Sequence, residues 1–121
     1  MYYRKVSEYI STREEEKRNI TTHYIVVMSE IGVFNGKEEV KLPSYGIKIH
    51  QEIFDGEKEK IEIIEEKVTN ISPYFEKVDK LAQFFKEMTV SPLHLYEIID
   101  DIWEDYITDY DRQTQLCKVA I

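Results

Sequence analysis

Cysteine is almost missing from this sequence, which holds one, Cys117, among 121 residues. A single thiol cannot close an intrachain disulfide, so nothing points to the oxidising compartments where small domains are stapled. Long apolar runs are missing as well. No stretch approaches the roughly 18–20 residues of a membrane span, and Met1-Tyr2-Tyr3-Arg4-Lys5 opens no apolar segment of signal-peptide length. A cytoplasmic location without membrane contact is expected. The glycosylation tripeptides at Asn19 and Asn70, which matter only in a secreted chain, are set aside. Glycine is scarce: the four present form no phosphate-cradling loop, and neither a Gly-x-Ser-x-Gly elbow nor a Cys-x-x-Cys pair occurs. Basic clusters are lacking too, since lysines such as Lys58, Lys60 and Lys67 stand among as many glutamates. That argues against direct nucleic-acid binding, which needs a concentrated cationic surface. His23, His50 and His94 fall in three different elements, none with a second ligand at metal spacing. No cofactor, no metal and no enzymatic activity are expected.

What is present is a globular composition, 42% apolar and 33% charged, in a chain of single-domain length. The expected organisation is one domain over 1–121, with an N-terminal arm or short helix at 1–21, a core at 22–110 and a tail at 111–121. The arm follows from the weak helical spacing of Tyr3, Val6 and Ile10, ahead of the charged block Arg13–Arg18. From Thr22 to Phe34 the run Tyr24-Ile25-Val26-Val27-Met28 predicts a well-buried strand, turning at Asn35-Gly36 into a hairpin. Tyr45, Ile47, Ile49 and Ile53 alternate with polar residues as a half-buried strand does, and Ile61-Glu62-Ile63 predicts a third strand. A three-residue turn with Gly56 left-handed would pair Ile49 with Ile61 and Ile47 with Ile63, placing all four on the apolar face.

Two helix starts share one form, Ser72-Pro73 and Ser91-Pro92, with serine as N-cap and proline at the first helical position. The first helix carries the stripe Phe75, Val78, Leu81, Phe85 and Met88. The second carries Leu95, Ile98, Ile99, Ile102 and Tyr106. The predicted fold is therefore α+β: a three-stranded antiparallel meander packed on one face by two C-terminal helices.

Several of these signals resemble a family of short, uncharacterised proteins from clostridia and their relatives. The matching residues are Tyr45-Gly46-Ile47, Ile71-Ser72, Val90-Ser91-Pro92-Leu93-His94-Leu95 and the pair Asp100-Asp101. The likeness spans about Tyr24 to Asp105, leaving the first twenty residues and the tail outside it. It implies unknown function and brings no catalytic residues.

The charge distribution carries the functional signal. Net charge is −8, and seven acidic residues between Glu97 and Asp111 meet no Lys or Arg, leaving 17 acidic against 16 basic side chains elsewhere. Glu97, Asp100, Asp101, Glu104 and Asp105 recur at helical spacing and would line one face of the second helix. Like charges one turn apart cost about 0.2–0.5 kcal/mol per pair, and acidic residues near a helix C-terminus oppose its dipole, so the fold alone would not select this row. A solvated, solubilising face is the plainer reading. The functional reading is a docking surface for a protein partner with a basic surface, in a non-enzymatic regulatory or adaptor module. An alternative is a small acidic inhibitor, from a phage or mobile element, that imitates the nucleic-acid backbone on a host complex. Trp103 beside the row is expected in the core, or else as an interface anchor.

Overall fold

A computed structural model describes residues 3–56 and 60–119. Its four strands are β1 (Arg4–Glu15), β2 (Arg18–Phe34), β3 (Glu39–Asp55) and β4 (Lys60–Ser72), followed by α1 (Phe75–Glu87), a 3-10 turn (Pro92–His94), α2 (Leu95–Ile102) and α3 (Glu104–Val119). The strands form one antiparallel sheet in the order β1-β2-β3-β4. The α+β class, the meander and the C-terminal helices are as the sequence predicts. The strand count is not.

The additional strand is β1, where an arm or short helix over 1–21 was expected. Tyr3, Val6 and Ile10 mimic helical spacing because a bulge falls between Lys5 and Ser7 and shifts the alternation by one residue. Val6 packs against the core, while Ile10 points to the other face and is 47% exposed. The turn into β2 is hidden inside the charged block. Glu15 pairs with Arg18, so the loop is Glu16-Lys17 alone, and both residues have positive φ (48° and 65°), as a tight hairpin turn needs.

The Asn35-Gly36 hairpin forms as expected, with Phe34 paired to Glu39. Asn35 Oδ1 accepts from the amides of Lys37 and Glu38, and Gly36 takes φ 100°. Pairing of β1 and β4 with this hairpin stops at Met28 and Tyr45, so its far end is a two-stranded ribbon. Pro43 is tolerated there, because no third strand needs its missing amide.

The β3–β4 register differs from the expected one. Asp55 pairs with Lys60, which sets Ile49 opposite Glu66 and Ile47 opposite Val68, and Gly56 is not left-handed. Ile61 and Ile63 consequently lie on the outer face, each 59% exposed, whereas Ile47 and Ile49 are fully buried under the helices. Near the end of β4 the register slips again between Tyr45 and Ile47, so the chain from Val68 to Ser72 bows over Gly46. A Cβ on Gly46 would sit 2.3 Å from the Val68 carbonyl oxygen and 2.7 Å from Thr69 Cα. Glycine is required there by this close backbone approach.

Tyr24, Val26, Ile47, Ile49 and Ile71 of the sheet meet Val78, Leu81, Ala82 and Phe85 of α1 and Leu95 and Ile99 of α2 in one core. Tyr24 buries its ring here and donates its hydroxyl proton to the Val90 carbonyl (2.8 Å), tying β2 to the chain after α1. Met88, expected in the α1 stripe, is 61% exposed. Ser72 is not the N-cap of α1. It closes β4, and the residue before α1 is Tyr74, which makes no side-chain cap bond. Ser91 does cap its turn, accepting from the Leu93 amide (3.3 Å), although the turn is 3-10 before it becomes α2. The predicted second helix is divided at Trp103, and the expected tail from 111 onward belongs to α3 as far as Val119.

Candidate functional site

The division at Trp103 rearranges the acidic row. Glu97, Asp100 and Asp101 lie on α2, and Glu104 and Asp105 form the first turn of α3. All five are exposed. Glu104 and Asp105 therefore stand at a helix N-terminus, where carboxylates favour the dipole by about 0.3–1 kcal/mol instead of opposing it. Trp103, at the junction, packs against the core beside Ile102 and Tyr106.

Asp109 belongs to the same charge run in the sequence but does something different. It is buried, accepting from Ser72 Oγ (2.7 Å) and from Lys77 Nζ (2.8 Å). Lys77 also donates to the Asp105 carbonyl and lies 4.3 Å from the centroid of the Tyr106 ring. One residue on, the hydroxyls of Tyr110 and Ser44 are 2.6 Å apart. Ser44 donates its only proton to Asn70 Oδ1 (2.6 Å), so Tyr110 is the donor in that pair. Burial pushes the Tyr110 hydroxyl up to about 12, keeping it protonated for this role. These bonds clamp α3 to the ends of β3 and β4. By contrast, among the described residues Asp100, Asp101, Glu104 and Asp105 make no side-chain ion pair, and Glu97 has only His94 Nδ1 at 3.3 Å.

Beside the acidic face lies an open groove of about 630 Å3, lined by Phe84, Met88, Val90 and Ile98, with His94 and Glu97 at its rim and Arg13 reaching in from β1. Phe84 is 50% exposed, an unusual placement for a phenyl ring with a core close by. The groove wall follows from how α1 ends. The Thr89 amide donates to Lys86 (3.1 Å) and the Val90 amide to Phe85 (3.0 Å), the paired bonds of a Schellman stop, with Thr89 in the left-handed position at φ 49°. Glycine is the usual residue there. A β-branched residue in that conformation is strained by about 1–3 kcal/mol, and such strain concentrates at functional sites. Nothing in the local composition marks Thr89 in advance.

A second polar cluster occupies the outer face of the sheet. Register places His23 of β2 directly across from His50 of β3, with ring centroids 5.8 Å apart. The two nitrogens of His50 face Glu65 (2.6 Å) and Glu52 (3.2 Å), and His23 Nδ1 is 3.5 Å from Glu8. The hydrogen bond to Glu65 raises the His50 pKa, with Glu52 adding to it against burial, and the same bond lowers that of Glu65. Sequence reasoning separated these histidines because their elements differ; only the register shows them to be neighbours. Among the described residues no group of three or more His, Cys, Asp and Glu side chains is arranged to hold a metal. On the inner face, Asp79 of α1 accepts from Ser7 (2.6 Å) and Tyr9 (2.7 Å) of β1. Burial alone would raise the Asp79 pKa, but those bonds and one from Gln83 outweigh it and lower it. The cluster fastens β1 to α1 and leaves no unpaired nucleophile.

Residues 3–105 match the sequence model of a family of unknown function, DUF6514. The chain belongs to that family. The match begins at residue 3, so β1 and its hairpin are part of DUF6514 and not an addition to it, as the narrower likeness from Tyr24 onward implied. It includes the groove, Glu97, Asp100, Asp101, Glu104 and Asp105, and ends before Asp109 and Tyr110. No curated protein and no solved structure matches the chain. Among the described residues no helix is long and apolar enough to cross a membrane.

Proposed function

We propose that the protein is a non-enzymatic, cytoplasmic regulatory or adaptor module that works by binding another protein, with the acidic surface of α2 and the start of α3 as its docking face. One observation supports this most directly. Of the acidic run, the fold uses Asp109 internally, whereas Asp100 and Asp101 are exposed and stand without a basic partner among the described residues. Exposed carboxylates that do nothing for the fold are available to a basic partner, which they would attract over about a Debye length, roughly 8–10 Å at physiological salt. The nucleic-acid-mimicking inhibitor needs a regular carboxylate row, and the interruption at Trp103 leaves that reading with less support.

The test is affinity capture from the native host with the parent and with Asp100→Lys/Asp101→Lys, across a salt series. The parent should retain a partner that is released as salt rises, and the charge-reversed variant should not retain it although its melting temperature is no lower than the parent's. Equal capture by both proteins would remove the acidic face from the function.

A further inference from the structure

We infer that the groove beside Glu97 seats the apolar side of a basic amphipathic helix supplied by the partner, so that recognition is hydrophobic at its centre and electrostatic at its edge. This rests on the reading of the acidic face as a docking surface and adds to it where the partner's apolar residues go and what shape the bound segment has.

The argument begins with the lining. Phe84 and Met88, one turn apart on α1, and Ile98 on α2 present apolar surface to solvent in a groove of about 630 Å3, inside the roughly 300–1,000 Å3 range of ligand pockets. A small polar ligand would need several unengaged polar groups converging on it. Few such groups converge here: Arg13 stands by Glu15 (3.7 Å), and Glu97, with one long contact to His94 (3.3 Å), leaves a single exposed carboxylate at the rim. What the groove offers is apolar area in an open trough between two helix ends, the setting in which a helix binds by residues spaced three and four apart. Methionine suits such a site, because its flexible thioether adapts to different apolar shapes.

Charge then selects the sign of the occupant. Glu97 is at the rim, and Asp101 follows one turn along the same helix with Asp100 beside it. No Lys or Arg interrupts the chain from Glu97 to Asp111. Arg13 of β1 is the one Lys or Arg in the lining, and Glu15, 3.7 Å from it, offsets its charge. A helix with leucine-like residues toward Phe84, Met88 and Ile98, and lysine or arginine toward Glu97 and Asp101, is complementary to both features. The strained Thr89 fixes the trough wall between α1 and the 3-10 turn.

The test uses the full chain and a dye-labelled synthetic leucine–lysine amphipathic helix, with polylysine of equal charge and a leucine–glutamate helix as comparators, read by fluorescence anisotropy. The leucine–lysine helix should bind, polylysine and the leucine–glutamate helix should bind at least tenfold more weakly, and Phe84→Ser/Met88→Ser should weaken the leucine–lysine helix at least tenfold. Both side chains are exposed, so the variant should keep its melting temperature, and a variant that does not is replaced by Met88→Ser alone. Glu97→Gln/Asp101→Asn should weaken binding and flatten its salt dependence. Unchanged binding by Phe84→Ser/Met88→Ser, or polylysine binding equally well, would overturn the groove while leaving the acidic face intact. Failure of the leucine–lysine helix to bind, or equal binding of the leucine–glutamate helix, would overturn the inference. Loss on Glu97→Gln/Asp101→Asn with no change on Phe84→Ser/Met88→Ser would assign binding to charge alone.

Discussion

Replacing Gly46 by alanine adds one methyl group, and the structure states what that methyl group meets. The new Cβ would lie 2.3 Å from the Val68 carbonyl oxygen and 2.7 Å from Thr69 Cα, both backbone atoms of β4, so relief requires the strand to move. Val68 pairs with Ile47 and packs against the core, and two residues on Asn70 holds the Ser44 hydroxyl to which Tyr110 is bonded. A shift of β4 therefore disturbs both the core and the clamp on α3. Overpacking a well-filled site costs about 1–3 kcal/mol, and an immovable backbone obstacle places Gly46→Ala at the upper end, near 3 kcal/mol. Against a total of about 5–15 kcal/mol for a domain, this should lower the melting temperature by roughly 10 °C. Gly32→Ala is the control. The atoms nearest its Cβ all belong to the Glu39 side chain, which is exposed and can swing away, so the effect should stay within about 0.5 kcal/mol. Calorimetry or circular dichroism melts of the two variants decide the matter. Equal melting temperatures for Gly46→Ala and the parent, or equal losses at both glycines, would refute the close-approach argument.

Asp109→Ala should cost about 2 kcal/mol by leaving the Ser72 hydroxyl without its acceptor and Lys77 with the Asp105 carbonyl but no carboxylate, Asp109→Asn should cost less, and Asp111→Ala, at an exposed position, should cost almost nothing in urea titrations. Thr89→Gly should raise stability by about 1 kcal/mol by relieving the left-handed threonine, and a loss instead would mean that its side chain contributes more than its strain costs. The His50–Glu65 pair sets a pH dependence. The raised His50 pKa gives stability that is full below its unfolded value of about 6.5 and is lost as pH rises through the folded value, while the lowered Glu65 pKa gives stability present above about 4.5 and lost as pH falls. The advantage of the parent over His50→Gln, measured by denaturant midpoint, should therefore be largest between about pH 4.5 and 6.5 and shrink as pH rises through the folded pKa of His50.

The sequence was most legible where one rule acted alone. The β-branched run through Val26 and the alternation through Ile47 and Ile49 each left one burial solution, and these residues are in the core. Ser91-Pro92 likewise had no competing reading. Legibility failed where a second constraint shifted the first. The bulge at Val6 changed the phase of β1, so a strand carried helix-like spacing, and the turn that follows uses Glu16-Lys17 in place of asparagine and glycine. At the β3–β4 connection the apolar pattern favoured burying Ile61 and Ile63, but the register set by Asp55↔Lys60 turned both outward. Ser72-Pro73 carried a cap signal, yet the serine oxygen accepts from the Tyr74 amide, ahead of the helix, while its proton goes to Asp109, far along the chain. The candidate site was legible as charge and not as shape. No local pattern shows that α2 stops at Trp103 or that Phe84 and Met88 border a groove.

The acidic run is better understood as three groups set apart by what each carboxylate meets. Asp109 is buried and paired, and its charge holds α3 against the sheet. Glu104 and Asp105 begin a helix, where negative charge favours the exposed amides of the first turn, so both have a structural reason to be acidic although both are exposed. Glu97, in the first turn of α2, has the same reason, whereas Asp100 and Asp101 have none. Glu97 has one long contact with an exposed histidine, and Asp100 and Asp101 approach the C-terminal end of α2, where the dipole disfavours them. Selection for solubility would be met by acidic residues anywhere on the surface. Glu97 lines the groove bordered by Phe84 and Met88, whose exposure solubility would oppose, and Asp100 and Asp101 follow it on the same helix. Charge that the fold does not use and apolar surface that solubility does not favour thus occur side by side, and a partner carrying both chemistries accounts for the two together.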